Sequence, residues 1–170
     1  RPPTILRVDR ASLAEGHVRE AYNGSSEGVQ ELVGCGAAAA EHRVEVMHPL
    51  TGDMCPEGVV GEIVIQGPSV AQGYWSRTEE NGGFRTKIRG VEGEFLRTGD
   101  LGFFYRGELF ITGRLKDVII IRGRNHYPQD IEQSAEASHP SLMPGAAFAV
   151  QEGNDEERLV LVQQVDRQLD

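Results

Sequence analysis

The sequence is short of the residues from which several common kinds of site are built. It has two cysteines, Cys35 and Cys55, in 170 residues, too few for a disulfide framework and without zinc-finger spacing. Free thiols in a reducing compartment are the expectation, which suits a cytoplasmic protein. Lysine is confined to Lys87 and Lys116, and the formal charge is −9. So acidic a chain lacks the basic surface needed to follow a nucleic-acid backbone, so no nucleic-acid partner is expected. No apolar run approaches the ~20 residues of a membrane span, and no signal peptide opens the chain. His126 and His139 are isolated from any Cys or Asp cluster, so no metal site is expected within the chain. A nucleophile elbow, carboxylates paired at catalytic spacing and a dinucleotide fingerprint are all missing. The chain opens on Arg1 and closes on Asp170 in a polar run, and both ends read as cuts through a longer protein.

Glycine, by contrast, is abundant: 21 residues, with eight prolines, which implies many turns and short strands rather than long helices. A β-like run covers Thr4 to Val8, and Asp9 to Leu13 has the pattern of one capped helical turn. From Arg43 the strand signals strengthen. Val44, Val46 and His48 alternate with Glu45 and Met47, and Gly61 to Gly67 is a short strand between glycines. Leu101 to Tyr105 and Glu108 to Thr112 make a β-hairpin about Arg106-Gly107. Trp75 is expected to fill core between strands. Val118 to Ile121 is apolar and β-branched, reading as a strand buried on both faces. Gly123 to Pro128 reads as a loop entering a helix that runs from Pro128 to about His139, and strands follow at Ala146 to Gln151 and Arg158 to Val165. The order from Asp117 is then strand, helix, strand, strand. A charged turn at Leu115–Lys116 marks a boundary between the β-rich part and this small α/β unit.

Chemistry concentrates between Phe95 and Glu132. Asp100 lies on the glycine turn Thr98-Gly99-Asp100, which fixes where its carboxylate points, and a carboxylate can hold two neighbouring sugar hydroxyls at once. An Asp that merely closes a β-turn explains the same residue. Arg114, leaving a strand end after Gly113, offers a planar fork to ribose or phosphate oxygens; a surface ion pair with Asp117 is the plainer alternative. Lys116 is either a solvated turn lysine or part of the same arrangement. Gly61, Glu62 and Trp75 read as structural.

These segments resemble the adenylate-forming ligases. The resemblance is carried by GEIVIQGPSVAQGYW (61–75), FLRTGD (95–100) and GRLKDVIIIRGRNHYPQDIE (113–132), in the family's order. It implies a large N-terminal domain and a small mobile C-terminal domain joined at a hinge. A carboxylic acid and ATP, with Mg2+, first give an acyl adenylate and pyrophosphate; a thiol then takes the acyl group after the small domain rotates. Carried over by position, Asp100 would bind the ribose hydroxyls and Arg114 the ribose or phosphate. Lys116 would be the hinge, and Gly123, Arg124 and Asn125 would form a loop presented for transfer. The phosphate loop and the motif supporting adenine and Mg2+ would lie before Arg1, and the catalytic lysine beyond Asp170. No catalytic residue is therefore expected in this chain, and alone it should be inactive.

Arg124 to Pro128 and Val8 to Gly16 resemble, more narrowly, the fatty acyl-AMP ligases, which pass the acyl group to an acyl carrier protein. Residues 8–35 would then correspond to their characteristic insertion. The implied fold is α+β: a β-rich, distorted barrel-like subdomain at 1–115, followed by a truncated small α/β unit at 116–170. An acyl-coenzyme A ligase, an amino-acid adenylation domain and a non-catalytic nucleotide- or carrier-binding module are the alternatives.

Overall fold

The computed structural model describes residues 2–21, 28–76, 78–151 and 157–166. The chain divides into two compact units, Arg1–Leu115 and Lys116–Asp170.

The first unit is organised by a four-stranded antiparallel sheet in simple sequence order. Its strands are β3 (Arg43–Met47), β4 (Gly61–Gln66), β5 (Leu96–Tyr105) and β6 (Glu108–Arg114). Preceding them, β1 (Ile5–Asp9) and β2 (Val29–Val33) form a two-stranded sheet, with the short helix α1 (Arg10–Ala14) between them. Asp9 caps α1 by accepting a 2.8 Å hydrogen bond from the Ser12 amide, as the Asp9–Leu13 pattern predicts. Past β2, Cys35 donates to the Leu109 carbonyl and Leu109 donates to that of Gly36, tying this segment to β6. Residues 22–27 of the insertion-like stretch lie outside the described residues.

Strand β4 is interior. Gly61 to Val64 are all buried, so the sheet is covered on both faces there. Met47, Val64, Ile88 and Phe95 form one core cluster, while Phe103 and Phe110 stack with ring centroids 5.4 Å apart. The β5–β6 hairpin turns at Arg106-Gly107, with φ of 52° and 77°. Two positive φ values in a two-residue loop match the right-handed twist of the flanking strands.

The first unit refines one expectation and overturns another. The sheet does not close into a barrel: among the described residues β3 and β6 are its two ends, and they do not pair. The α+β class itself holds. Trp75 is 94% exposed, because the segment Gly73 to Trp75 forms no strand. Its neighbour Tyr74 instead donates to Asn81 Oδ1 at 2.7 Å and meets Phe84 edge-on at 5.3 Å. The chain is thereby held on the 3-10 helix Thr78–Arg85 rather than between strands.

The second unit begins with a hairpin that the sequence reading did not resolve. β7 (Ile119–Ile121) pairs with β8 (Arg124–His126) across the turn Arg122-Gly123, whose φ values are 51° and 75°. The order from Asp117 is therefore strand, strand, helix, strand, strand. Ile119 is buried but Ile120 is 51% exposed, so β7 is a half-buried strand and not one covered on both faces. Its outer edge is satisfied by a side chain, since the Ile120 amide donates to Glu157 Oε2 at 3.0 Å. Helix α2 (Pro128–Ser138) follows with proline in its first turn. β9 (Leu142–Gln151) and β10 (Glu157–Val165) complete the unit as an antiparallel pair.

Candidate functional site

Asp100 does not sit on a free turn. It lies inside β5, where Thr98, Gly99 and Asp100 bulge out of the ladder opposite a single residue of β4. Arg97 pairs with Val64 and Leu101 with Glu62, leaving only Ile63 to face the three. Such bulges bend a strand locally and re-aim its side chains. Gly99 takes φ 75°, a value that glycine accepts without steric cost. The bulge is also stitched down: Thr98 Oγ1 donates to the Ile63 carbonyl at 2.7 Å and accepts from the Asp100 amide at 3.0 Å.

On the other side of β5, Asp100 is the direct cross-strand partner of Arg114 on β6. Opposed residues in an antiparallel pair project from the same face of the sheet. Arg114 Nε donates to Asp100 Oδ1 at 3.1 Å, with the two side chains 59% and 35% exposed respectively. At that exposure the pair adds little stability. Its consequence is orientation. One carboxylate oxygen is engaged, while the other and the terminal guanidinium nitrogens make no hydrogen bond among the described residues. A carboxylate beside a guanidinium on one face presents acceptor and donor together, which suits hydroxyls and phosphate oxygens in a single molecule.

Two residues with no assigned site role, Glu62 and Arg97, anchor the start of this bulge. Glu62 is 1% exposed. Its Oε2 accepts from Arg97 Nε at 2.8 Å and also from Arg97 Nη2, and its Oε1 accepts from the Gly99 amide at 3.2 Å. The hydrogen bonds that Arg97 donates to Glu62 push the guanidinium pKa above its usual value. A signal for this was present in the sequence. A glutamate within the apolar run Gly61 to Gln66 demands a partner, since a buried carboxylate is not tolerated unpaired.

Within the second unit, Lys116 is exposed on the 3-10 turn Leu115–Asp117, at the boundary between the two units. With Asp117, Gln129, Glu132 and Glu157 it lines a largely polar cavity of about 680 Å3. Gly123 occupies the second position of the β7–β8 turn, and Arg124 and Asn125 pair with Ile121 and Ile120. The expected loop before α2 is thus a tight hairpin, because Arg122-Gly123 adopts the two positive φ values that a two-residue connection needs.

Comparison with known proteins agrees with this architecture. The family described as AMP-binding enzyme matches residues 15–75. The medium-chain-fatty-acid–[acyl-carrier-protein] ligase JamA of Moorena producens (strain JHB) is 54% identical over 143 residues, covering 82% of this chain and 24% of that protein. The long-chain-fatty-acid–AMP ligase FadD32 of Mycolicibacterium smegmatis (strain ATCC 700084 / mc(2)155) is 39% identical over 162 residues, covering 87% of this chain and 26% of its own length. A solved structure from work on fatty acyl-adenylate ligases of E. coli and L. pneumophila superposes with a TM-score of 0.76. It is 36% identical and covers 94% of this chain and 27% of that one. The chain belongs to the adenylate-forming, AMP-binding enzyme family. Within it, the relatives place it in the fatty acyl-AMP ligase branch. It spans about a quarter of the length of the curated relatives it matches.

Proposed function

We propose that the chain forms part of an ATP-dependent ligase that activates a fatty acid as acyl-AMP and passes the acyl group to an acyl carrier protein. In the first step a carboxylate oxygen of the fatty acid bonds to the α-phosphorus of ATP, and pyrophosphate leaves. In the second, a carrier thiol bonds to the acyl carbon and AMP leaves. The Asp100 carboxylate takes the ribose hydroxyls, and Arg114 donates to ribose or phosphate. What supports this above all is their cross-strand contact at 3.1 Å on a glycine-dependent bulge, in a chain whose relatives are fatty acyl-AMP ligases.

The division of the chain at Leu115 supports reading residues 1–115 as the last β-rich subdomain of a large adenylation domain. Residues 116–170 would then open the small mobile domain, with Lys116 as the pivot. Gly123, Arg124 and Asn125 form the face turned toward the acyl adenylate during transfer. The carrier protein as acceptor draws on the name of the Moorena relative. Mg2+ would accompany ATP; among the described residues no three His, Cys, Asp or Glu side chains gather. Two unpaired cysteines suit the reducing cytoplasm, and no helix among the described residues is long and apolar enough to cross a membrane.

Replacing Asp100 by alanine in the full-length protein tests the reading. Loss of the ribose hydrogen bonds should weaken ATP-dependent pyrophosphate exchange by about 2–4 kcal/mol, roughly 30- to 800-fold in kcat/KM for ATP. Exchange at the wild-type rate would remove the ribose role.

A further inference from the structure

We infer that Glu62 is a positioning residue for nucleotide binding, acting through Arg97 and the Gly99 amide to hold the bulge that aims Asp100. The inference rests on the ribose reading of Asp100 and goes beyond it. Neither Glu62 nor Arg97 faces the ligand in this account.

The geometry argues for more than a stray buried ion pair. Glu62 stands on the interior strand β4 and is 1% exposed, and both of its oxygens are committed to the start of the bulge. Oε2 holds the Arg97 guanidinium and Oε1 holds the Gly99 amide. Thr98 secures the next point by bonding to Ile63. The bulge therefore leaves the ladder at a fixed place and returns to it at Leu101. A Cβ built on Gly99 meets nothing within 4 Å, so no side-chain packing at that turn residue fixes the bulge. Its hydrogen bonds to β4, together with the pairing of Asp100 with Arg114 on β6, hold its shape. Without them, the ordered loop regains the backbone freedom that folding removed, and Asp100 is no longer preset opposite Arg114. A carboxylate that must first be ordered binds its ligand more weakly.

A double-mutant cycle on the full-length protein separates positioning from plain stabilisation. Pyrophosphate exchange is measured for wild type, Glu62→Gln, Asp100→Ala and the double variant, each with KM and kcat for ATP and for the fatty acid. Glu62→Gln is expected to raise the ATP KM by about tenfold while leaving the fatty-acid KM within about twofold. In the Asp100→Ala background the same change should cost less than about twofold, because there is no aimed carboxylate left to lose. Equal factors in both backgrounds would overturn the inference, as would an unchanged ATP KM in Glu62→Gln. If Asp100→Ala itself leaves the ATP KM unchanged, the ribose reading fails and takes this inference with it. An Asp100→Ala effect without coupling to Glu62 removes only the present inference. Should Glu62→Gln not fold, Thr98→Val enters the same cycle, with Thr98→Ser expected to restore the ATP KM and failure of that rescue counting against the proposal.

Discussion

Single side chains in this protein are set by a few directional hydrogen bonds, and Asp9 shows the principle where it can be titrated. Its carboxylate accepts from the Ser12 amide at the start of α1, and that bond, followed by contact with the Ser12 side chain, lowers its pKa below the ordinary carboxylate value. A lowered pKa means the folded state prefers the ionised form. The stabilisation is then complete above the unfolded value near ~4 and is lost as pH falls through the lower folded value. Thermal unfolding followed from pH 6 to pH 2 should show Asp9→Asn losing less stability than wild type at the acid end, since asparagine caps without titrating. Identical acid slopes would show that the cap is not what titrates. Asp100 and Arg114 stand out in the sequence as separate candidates beside glycines, with Asp117 as the plainer ion-pair partner of Arg114. Their cross-strand pairing comes from the β5–β6 register. Their organiser was less visible. Glu62 looked structural beside its glycine, and only the three-against-one register at Ile63 reveals what its carboxylate holds.

Elements were legible wherever local chemistry alone decides them. Pro128 at the first turn of α2, the Arg106-Gly107 hairpin and the strand between Gly61 and Gly67 all follow from backbone preferences that the sequence carries. Failures came where the surroundings decide. Val118 to Ile121 reads as buried on both faces because it is apolar. Among the described residues, however, β7 is hydrogen-bonded to β8 and to the Glu157 carboxylate. It buries one side chain, Ile119, while Ile120 is half exposed. Trp75 reads as core for the same reason and finds no layer facing it. Close strand packing also escapes a linear reading. A Cβ on Gly102 would lie 2.4 Å from the Phe110 carbonyl and 2.8 Å from Ile63 Cδ1, so the β4–β5–β6 contact requires glycine there. Gly102→Ala should destabilise the first unit by about 1–3 kcal/mol in denaturant unfolding. A change below a few tenths would mean the strands can separate without cost.

For the whole molecule, the contact boundary after Leu115 falls where the charged turn Leu115–Asp117 interrupts β structure. If Lys116 is the pivot, then fixing its φ and removing its amide hydrogen should hinder movement more than chemistry. Lys116→Pro in the full-length protein should slow acyl transfer to the carrier far more than pyrophosphate exchange. Equal losses in both steps would argue against a pivot.

Ligand discrimination gives the sharpest test of the claim that Asp100 grips the sugar. Binding of ATP and 2′-deoxy-ATP to the full-length protein is compared for wild type and Asp100→Ala. Wild type should prefer ATP by about tenfold, as befits one charge-assisted hydrogen bond, and the preference should fall close to one in the variant. The same preference in both proteins would contradict the account, since the hydroxyl would then be read by some other group.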